Sequence, residues 1–581
     1  MKLELDEVRR LTGPNLLSDH SGAIIDVFFE GIAPEAVLKC WQQHVQICQL
    51  AVNWKQPTFH RFYTGGASMS IAAPMDQLYS ACDLIELAWD RCVDQLLGHS
   101  VDKPINIKFS QRLSALKDTI KEERNPALLS LLQQARAHNV LCLPDDDEVS
   151  LGTGPSAVTW PIDKLPALKP FGLVSNSHLS KASENDIDWS AFSQIPLALI
   201  TGTNGKSTSV RLAAEIAKCA KINAGVTSTD FIKVGDILID EGDYSGPGGA
   251  RMLLRDNRTE MAFLEVARGG LLRRGLPVPQ ADAALVTNVA GDHLGQYGIN
   301  TVDEIAQVKL MVAKAIDSNA VLVLNADDKL IVEHSAHLSA PICWFSTNKD
   351  NPKIREALDK QMPCVYVDNN EFVYHFSEAS NIANINQVPM TMEGTANYNI
   401  QNALGVIGLC KALHIPDEAI SQGLKQFGLR PEDNPGRGNR YLVNDIQVVV
   451  DFAHNAHSME AIIEMAAQTK ANNKHVMFSH AGDRSDQEII EVANIVKKLE
   501  PSNYVLAEID KYLRGRAPNE ISELVQTHLL SRGVPAASIT VSPDPLTGCK
   551  HIMKRAQAGD LVLLFVLNDR EKVQTYISTL G

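Results

Sequence analysis

Residues 196–217 read PLALITGTNGKSTSVRLAAEIA. The apolar run at residues 197–200 is short enough to be a buried strand. The glycine-rich segment GTNGKST follows at residues 202–208, and the apolar residues after it recur at helical spacing. A strand, a glycine loop and a helix in this order favour phosphate binding, because the glycines let backbone N–H groups close on an anion and the helix N-terminus adds partial positive charge.

The side chains of this loop suit a nucleotide. Lys206 can reach the β- and γ-phosphates, and the Ser207 hydroxyl can bind Mg²⁺. The alternative interpretation is a glycine turn that only caps the helix, but the flanking strand and helix favour the phosphate site. Only two residues separate the two glycines, so the loop is shorter than the common P-loop. The predicted phosphate-binding residues are Gly202, Thr203, Asn204, Gly205, Lys206, Ser207 and Thr208.

Composition places the chain among globular proteins and limits its partners. A length of 581 residues predicts roughly three to four domains. A hydrophobic content of 45% and a charged content of 21% are typical of a protein with buried cores. The formal net charge of −15 argues against a nucleic-acid backbone or an anionic membrane as partner, whereas a nucleotide needs only a local positive site.

Targeting and redox patterns predict a cytoplasmic protein. The ten cysteines include no CxxC pair, which is typical of reduced thiols rather than a disulfide framework. The N-terminal residues carry no apolar segment of the signal-peptide kind. No run of about eighteen apolar residues suggests a membrane span.

Hydrophobic patterning predicts an α/β protein with three domains and a linker. Strands and helices alternate in the middle of the chain and again near its end, which predicts a buried parallel sheet and then a Rossmann-like sheet. The run DDDE followed by GTGP is typical of a linker. The expected order is an N-terminal α+β domain at 1–143, a linker at 144–190, a central ATP-binding P-loop domain at 191–430 and a C-terminal Rossmann-like α/β domain at 431–581. The main predicted strands are at 23–29, 68–73, 261–266, 283–289 and 320–325, and the main predicted helices are at 34–52, 74–97 and 302–316.

Several polar residues stand where the central strands end, which is where parallel sheets bind ligands. Glu265 interrupts an apolar strand, and a carboxylate there is unfavourable unless it meets a cation or a metal. Asp292 and His293 follow the next strand, and Lys309 lies on the predicted helix at 302–316. The alternatives are a structural ion pair for Glu265, an ordinary loop histidine, and a lysine on a helix surface.

The short loop, the strand-end Glu265, the N-x-x-x-D-H spacing and the helical Lys309 resemble the Mur ligase family. The resemblance implies that Ser207 and Glu265 hold a Mg²⁺ bridging the β- and γ-phosphates, and that His293 holds a second Mg²⁺. It also implies that CO₂ carbamylates Lys309, because an ammonium repels a metal whereas a carbamate is a carboxylate-like ligand. The implied cofactors are ATP, two Mg²⁺ ions and a carbamylated lysine at Lys309.

Further motifs narrow the resemblance to the cyanophycin synthetases. DYSGP at residues 243–247 resembles their GDxTGP loop, and EVARGGLL at residues 265–272 resembles their ExARGGxL stretch. Arg268 marks this subfamily, and a guanidinium beside the γ-phosphate would hold a substrate carboxylate through two hydrogen bonds. The implied catalytic residues are Lys206, Arg268, His293 and Lys309.

Motifs further along imply the remaining nucleotide contacts. NIQNA at residues 399–403 resembles NxxNA, in which the second Asn touches adenine, although Tyr398 stands where the family usually has His. DFAHN at residues 451–455 resembles DYAHNP, and GDR at residues 482–484 would lie toward the incoming amino acid. The implied nucleotide-binding residues are Asn402, Arg437, Asp451 and His454.

The first domain resembles the N-terminal domain of cyanophycin synthetases through RRLTGPN at residues 9–15 and SIAAPMDQLY at residues 70–79. In that family the domain helps to hold substrate or the oligomer, and a purely structural domain is the alternative. The family places an ATP-grasp domain between this domain and the Mur-like module, and the interval between residues 143 and 196 is too short for one.

The sequence therefore predicts an ATP-dependent ligase that activates a carboxylate as an acyl phosphate and joins it to the amine of an amino acid. The expected substrates are a small-molecule or peptide carboxylate and an amino acid. The chain would act either on a peptide made by a separate ATP-grasp protein, which is then its partner, or on a small molecule to make an amide of its own. A homo-oligomer is expected, and neither a nucleic acid nor a membrane is.

Two alternatives stay open. A P-loop kinase for a small molecule would release ADP without any amine, but it leaves Lys309 and the third domain unexplained. A non-catalytic nucleotide-binding subunit that works with a separate ATP-grasp ligase predicts lost metal ligands. The expected metal ligands Ser207, Glu265, His293 and Lys309 are all present.

Overall fold

The computed structural model describes residues 1–98, 103–166 and 187–580. Within these ranges each of the three domains is built on its own sheet, and a small additional sheet lies between the first two. No helix among the described residues is both long and apolar enough to cross a membrane.

The N-terminal domain is an antiparallel sheet covered by helices. Its strands are β1 (Lys2–Leu11), β2 (Gly22–Glu30), β3 (Thr58–Tyr63) and β4 (Gly66–Ala72), in the spatial order β1-β2-β4-β3. Its helices are α1 (Pro34–Ala51), α2 (Leu78–Leu96), α3 (Lys103–Glu123) and α4 (Pro126–Ala137). Trp41 of α1, Met69 of β4 and Leu84 of α2 are fully buried together in its core. The predicted strands and the predicted helix α1 of this domain are confirmed.

A three-stranded antiparallel sheet lies where the sequence predicts the start of a linker. Its strands are β5 (Cys142–Pro144), β6 (Glu148–Leu151) and β7 (Val158–Pro161). Asp145 N–H donates to the Glu148 carbonyl at 2.6 Å across the turn between β5 and β6. Val149 and Leu151 are fully buried in a cluster with residues of α4, so apolar packing orders this segment. The part of the predicted linker at residues 167–186 lies outside the described residues.

The central domain holds an eleven-stranded sheet. Its strands are β8 (Leu197–Thr201), β9 (Ala224–Thr227), β10 (Phe231–Val234), β11 (Ile237–Glu241), β12 (Met261–Glu265), β13 (Ala283–Val286), β14 (Val321–Asn325), β15 (Ile342–Ser346), β16 (Cys364–Asp368), β17 (Glu371–Phe376) and β18 (Glu378–Asn384). They lie in the order β11-β10-β9-β12-β8-β13-β14-β15-β16-β17-β18, parallel from β9 to β16 and antiparallel at both edges. Leu199 and Ile200 of β8 point into different cores, so the parallel strands are buried on both faces, as predicted.

Helices cover both faces of the central sheet. They are α5 (Lys206–Cys219), α6 (Pro247–Leu254), α7 (Arg268–Arg274), α8 (Val302–Leu310), α9 (Lys329–Ser335), α10 (Pro352–Asp359), α11 (Asn397–Ala412) and α12 (Asp417–Gln426). The helix predicted at 302–316 is α8 followed by a 3₁₀ turn at Met311–Ala315.

The C-terminal domain is a six-stranded sheet with helices, parallel except for its first strand. Its strands are β19 (Arg437–Val443), β20 (Ile446–Asp451), β21 (Lys474–Phe478), β22 (Asn503–Ala507), β23 (Ile539–Ser542) and β24 (Leu561–Phe565), in the order β19-β20-β24-β21-β22-β23. Its helices are α13 (Ala456–Gln468), α14 (Asp486–Lys497), α15 (Glu520–Ser531), α16 (Pro545–Arg555) and α17 (Arg570–Ser578). The predicted α/β class is confirmed.

Candidate active site

The glycine loop between β8 and α5 is held in one shape by its neighbours. Gly205 has φ +86°, and a Cβ there would lie 2.2 Å from Asn402 Oδ1, so only glycine fits. Thr203 N–H donates to the Asn288 carbonyl and Asn204 N–H to Asn288 Oδ1, both at 2.9 Å. The end of β13 therefore fixes the course of the predicted phosphate loop.

Two lysines converge on one carbonyl of this loop. Lys206 Nζ donates to the Gly202 carbonyl at 3.0 Å, and Lys309 Nζ donates to the same carbonyl at 2.7 Å. The side chain of Lys309 is buried, and burial together with the nearby Lys206 lowers its pKa well below the ordinary value. A neutral amine is the form that adds CO₂, so the site fits a carbamylated lysine at this position.

Ser207 and Glu265 bring a hydroxyl and a carboxylate side by side at the start of α5. Ser207 Oγ donates to Glu265 Oε1 at 3.1 Å, and Thr229 N–H donates to the other carboxylate oxygen at 3.4 Å. Burial raises the pKa of Glu265, and the charge of Lys206 acts against that shift. A hydroxyl and one carboxylate are ligands that fit Mg²⁺ when phosphate oxygens and waters complete its shell. Among the described residues no group of three or more His, Cys, Asp and Glu side chains could hold a metal.

His293 lies in the loop between β13 and α8, with φ +51°. Burial lowers the pKa of His293 to about 4, so the imidazole is neutral at pH 7. Arg484 of the C-terminal domain pairs with Asp292 at 2.8 Å and approaches His293 Nε2 at 3.3 Å. The loop thus brings His293 to the same cavity as Lys206 and Glu265.

Arg268 contacts the loop that carries His293. Its Nη1 donates to the His293 carbonyl at 2.7 Å, and its Nη2 donates to Gln296 Oε1 at 2.9 Å. Both terminal nitrogens are therefore engaged with the loop that carries His293, because α7 packs directly beneath that loop. Arg268 lines the cavity, and among the described residues these two hydrogen bonds leave other N–H groups of its guanidinium without a partner.

A smaller cavity adjoins the loop on the side of α11 and contains the residues that the resemblance assigns to the nucleoside. Asn402 Nδ2 donates to Asn399 Oδ1 at 3.3 Å. Burial raises the pKa of Asp451 to about 6, although Ala453 N–H donates to its carboxylate at 2.7 Å. The buried Tyr398 hydroxyl has no hydrogen-bond partner among the described residues. The lining includes Gly205, Thr208, Tyr398, Asn402, Asp451 and His457.

The C-terminal domain closes over the loop. Arg437 Nη2 lies 3.5 Å from Ser207 Oγ, and His454 Nδ1 contacts the Phe452 carbonyl at 3.0 Å. Asn455 Nδ2 donates to Asn204 Oδ1 at 3.1 Å. These contacts place Arg437 and His454 in the wall of a cavity of about 900 Å³, the active cavity. Its lining includes Lys206, Ser207, Glu265, Arg268, His293, Lys309, Arg437 and His454.

An ion-pair cluster between the domains was not predicted. Asp230, after β9, accepts hydrogen bonds from Arg211 of α5 and from Arg570 of α17 at 2.8 Å. Arg211 also donates to Asn434 Oδ1, at 3.2 Å, in the segment that joins the two domains. Asn434 and Arg570 lie hundreds of residues from Arg211 and Asp230, and none of the four matches a motif, so no local signal marks the cluster.

The N-terminal domain contacts the loop that carries His293. Arg61 of β3 donates to the carbonyls of Tyr297 at 3.3 Å and Gly298 at 3.0 Å, and pairs with Glu304 of α8 at 2.7 Å. The guanidinium of Arg9 lies 4.9 Å from the centre of the Tyr297 ring. The first domain therefore braces one wall of the active cavity.

Comparisons with known proteins match two of the three domains. Residues 200–410 match the family model of the Mur ligase middle domain. Residues 436–565 match the model of the Mur ligase glutamate ligase domain. Together the two models cover more than half of the chain.

Cyanophycin synthetases are among the most similar curated proteins. The one from Crocosphaera subtropica is 35% identical over 382 residues, covering 64% of this chain and 42% of the relative. The one from Synechocystis is 33% identical over 374 residues, with the same two shares. The chain thus spans about four-tenths of the length of these relatives. A solved structure of E. coli FolC in complex with DHPP and ADP is 18% identical, with a TM-score of 0.48, covering 66% of this chain and 89% of that one.

Proposed function

This chain belongs to the Mur ligase family, and on that premise we propose that it is an ATP-dependent carboxylate–amine ligase. A carboxylate oxygen of the acid attacks the γ-phosphorus of ATP, the bond to the β-phosphate oxygen breaks, and ADP leaves. An amine nitrogen then attacks the acyl carbon of the resulting acyl phosphate and loses a proton, and inorganic phosphate departs. The product is an amide.

The observation that carries this proposal is the convergence of Lys206 and Lys309 on the Gly202 carbonyl beside the Ser207–Glu265 pair. A kinase needs the loop lysine and the hydroxyl, but it has no use for a second, buried, neutral lysine at the same carbonyl. A lysine that can become a carbamate supplies an additional anionic ligand where the phosphates bind.

The residues divide between phosphate binding and metal binding. Ser207 and Glu265 would hold one Mg²⁺, and His293 and carbamylated Lys309 would hold the second. Bound Mg²⁺ would neutralise the charge that spreads over the β- and γ-phosphates during transfer. Lys206 would leave its loop carbonyls to pair with those phosphates. Asn402 and Asp451, with Arg437 and His454 nearer the phosphates, would hold the rest of the nucleotide.

Domain closure protects the intermediate. Arg484 reaches Asp292 at 2.8 Å and Asn455 reaches Asn204 at 3.1 Å, so the C-terminal domain covers the cavity in this structure. Excluding water matters because water would hydrolyse the acyl phosphate before the amine attacks.

The proposed substrates are a small-molecule or peptide carboxylate and the amine of an amino acid. The curated relatives are named cyanophycin synthetases, and this chain spans less than half of their length. Because the interval between residues 143 and 196 is too short for an ATP-grasp domain, we propose that a separate ATP-grasp protein supplies the acid. We also propose that the chain works as a homo-oligomer in the cytoplasm.

The test is a screen for ADP release by the purified full chain. Aspartyl, glutamyl and β-aspartyl peptides are crossed with arginine, lysine and other amines, with Glu265→Gln as the matched variant. ADP release that needs both an acid and an amine, and that is lost in the variant, supports the ligase. ADP release indifferent to every amine indicates a kinase. Bound nucleotide without turnover indicates a non-catalytic subunit.

A further inference from the structure

Two buried cysteines face each other across the first two helices of the N-terminal domain. Cys40 of α1 is 5% exposed, and Cys92 of α2 is fully buried. The Cys40 thiol donates to the Cys92 carbonyl at 3.8 Å, and the Cys92 thiol donates to the Val37 carbonyl, one turn before Cys40, at 3.7 Å. Each sulfur therefore lies against the main chain beside the other cysteine. The pair is separate from the residues that line the active cavity.

The packing of α1 on α2 holds the two thiols in this arrangement. Trp41, the residue after Cys40, is fully buried, and its indole N–H donates to the Ile85 carbonyl of α2 at 3.4 Å. His44, one turn further along α1, contacts Gln95 Oε1 of α2 through Nε2 at 2.8 Å. Two side-chain hydrogen bonds next to Cys40 therefore fix how the helices meet, so the two sulfurs are held as neighbours.

His44 provides a base beside Cys40. Its side chain is 5% exposed, and its Nδ1 is buried without a hydrogen-bond partner among the described residues. Cys40 and His44 are four residues apart on one helix, so their side chains lie on the same face. Because Gln95 Oε1 accepts the Nε2 proton, the neutral imidazole has its acceptor at Nδ1. This nitrogen is therefore placed to take the proton of the Cys40 thiol.

The surroundings of the two thiols make them unequal. Hydrogen bonding to Cys92 lowers the pKa of the Cys40 thiol, burial opposes this shift, and His44 lowers the pKa further. Hydrogen bonding to Cys40 and burial both raise the pKa of the Cys92 thiol. Cys40 is therefore the thiol that ionises, and a thiolate is the form that attacks an oxidant.

A second pair of neighbouring cysteines shows what this arrangement adds. Cys343 of β15 and Cys364 of β16 lie on adjacent parallel strands, but their side chains belong to separate cores on opposite faces of the central sheet. Burial raises the pKa of Cys343, and it raises the pKa of Cys364 to about 12. These two thiols stay protonated and do not meet, so they provide a matched control.

We propose that Cys40 and Cys92 form a redox site, in which a hydroperoxide oxidises Cys40 with His44 as the base and Cys92 then closes a reversible disulfide between α1 and α2. This inference goes beyond the proposed ligase function and does not depend on it. Disulfides of cytosolic proteins are usually transient ones with a catalytic or redox-sensing role, and a thiol pair beside a base fits the redox-sensing role.

The reaction takes two steps. His44 Nδ1 takes the Cys40 proton, the thiolate sulfur attacks one peroxide oxygen, the O–O bond breaks, and the leaving oxygen takes the proton from His44 to give water or an alcohol. Cys40 is then a sulfenic acid. The Cys92 sulfur attacks the sulfenic sulfur, the S–O bond breaks, and the departing hydroxide takes the thiol proton as water. Two electrons pass from the sulfurs to the peroxide, and an external dithiol reverses the bond by exchange.

The test treats the fully reduced full chain with hydrogen peroxide. The intact mass should fall by the mass of two hydrogen atoms, the free thiols counted in denaturant should be two fewer than the ten of the reduced chain, and a peptide map should show Cys40 joined to Cys92. Dithiothreitol should restore all the thiols. Unchanged thiols in a large excess of peroxide, a disulfide between other cysteines, or oxidation that dithiothreitol does not reverse would overturn the proposal.

The variant His44→Asn tests the base. It should slow disulfide formation about a hundredfold, the lower end of what a positioned general base contributes. His60→Asn, which replaces an exposed histidine of β3, should leave the rate unchanged. Equal rates for His44→Asn and the wild type would overturn the site as proposed.

Two cysteine variants separate the steps. Cys92→Ser should stop the reaction at the sulfenic acid of Cys40, which dimedone labels, whereas Cys343→Ser should form the disulfide at the rate of the wild type. Dimedone labelling of Cys343 or Cys364 in place of Cys40 would contradict the proposal. Melting temperatures of the reduced variants show which of them fold, and if Cys92→Ser does not fold, the peptide map of the wild type decides.

Discussion

At the scale of single residues, Lys309 carries the most specific chemistry. Its side chain is 3% exposed and makes one hydrogen bond, to the Gly202 carbonyl at 2.7 Å. Burial and the nearby Lys206 disfavour a cation here more than the charge of Asp292 favours it, so the neutral amine is favoured and the pKa falls. Addition of CO₂ would then turn this residue into an anion that a bound metal stabilises.

Lys309→Arg should abolish turnover while keeping a positive side chain, because a guanidinium does not form a carbamate. We expect kcat for ADP release to fall at least about a hundredfold, the size of losing one electrostatic stabiliser of the transferring group. In ¹³C-bicarbonate the wild type should show a carbamate carbonyl resonance that the variant lacks. Lys314→Arg, an exposed lysine just after α8, is the control and should retain both activity and resonance. A fully active Lys309→Arg would rule out the carbamate.

The raised pKa of Asp451 predicts how the stability of the protein depends on pH. Its pKa rises from an ordinary 3.8 to about 6, so the folded state binds a proton more tightly than the unfolded state. The free energy of unfolding therefore falls as the pH rises between these two pKa values. Above this range the protein has lost about 3 kcal/mol of stability relative to low pH. Asp451→Asn removes this loss, so the gain in melting temperature over the wild type should be larger at pH 8 than at pH 5. The same difference at both pH values would contradict the assignment.

At the scale of elements, the turn after β9 joins three parts of the fold. Burial acts to raise the pKa of Asp230, but Arg211, Arg570 and Arg437 together outweigh it and lower the pKa to about 2. The side chain of Arg211 is 7% exposed, so its buried positive charge needs this carboxylate as a counter-ion. Asp230 thus links two helices through ion pairs: α5, which follows the glycine loop, and α17 of the C-terminal domain.

Asp230→Ala should destabilise the protein by about 3 kcal/mol, because it leaves a buried guanidinium without its counter-ion. Asp236→Ala is the matched control: its partner Lys218 also belongs to α5, but the pair is largely exposed and should contribute below about 1 kcal/mol. Differential scanning fluorimetry compares the two melting temperatures. Equal shifts for both variants would mean that the Asp230 cluster is no stronger than a surface pair.

The local hydrophobic pattern of the sequence predicted the strands that are buried on both faces of the central sheet. The runs that became β8, β12, β13 and β14 are apolar except for the polar residue at the end of three of them, and that signal does not depend on distant contacts. The β5–β7 sheet was wrongly expected to be linker because its strands are short and its turn is acidic, while α4 supplies the packing that orders it. Helix α2 begins at Leu78 and not at Pro74, because Asp76 turns to accept the Asn125 N–H at 2.7 Å.

In the candidate site, too, the sequence marks some features and only the fold shows the others. The glycine loop, Glu265, His293 and Lys309 are marked by sequence spacing, and the structure brings them to one cavity. The hydrogen bonds that Arg268 makes could not be predicted from the sequence, because their acceptors lie on a loop whose position depends on the N-terminal domain. The partners of Asp230 belong to segments hundreds of residues apart, so only the folded chain shows them.

At the scale of the whole molecule, the N-terminal domain contacts the loop that carries His293. Arg61 holds the Tyr297 and Gly298 carbonyls and Glu304, and a Cβ on Gly298 would lie 2.3 Å from the Tyr63 ring. The same loop carries His293 at a positive φ of +51°. The first domain therefore holds the loop that forms one wall of the active cavity, and its described residues make no hydrogen bond or ion pair with the glycine loop.

Arg61→Ala should lower kcat about 10- to 100-fold, because an error of about 1 Å in a catalytic group has effects of that size. Nucleotide affinity should change less than about twofold, since Arg61 has no contact with the glycine loop or α11. A fluorescent ATP analogue measures affinity, and ADP release measures kcat. Lys314→Ala, which removes a different interdomain contact, should leave both values unchanged. Parallel losses of kcat and affinity would indicate general destabilisation instead of a positioning role.

The central claim is that a carboxylate is activated by phosphoryl transfer and then taken by an amine. The most direct measurement uses the acid found by the screen, labelled with ¹⁸O at both oxygens of its reacting carboxylate, with ATP and the matching amine. Phosphoryl transfer to that carboxylate predicts one ¹⁸O atom in each inorganic phosphate released, detected by the isotope shift in ³¹P NMR. Inorganic phosphate free of ¹⁸O, with amide formed at the normal rate, would contradict the acyl phosphate and the account built on it.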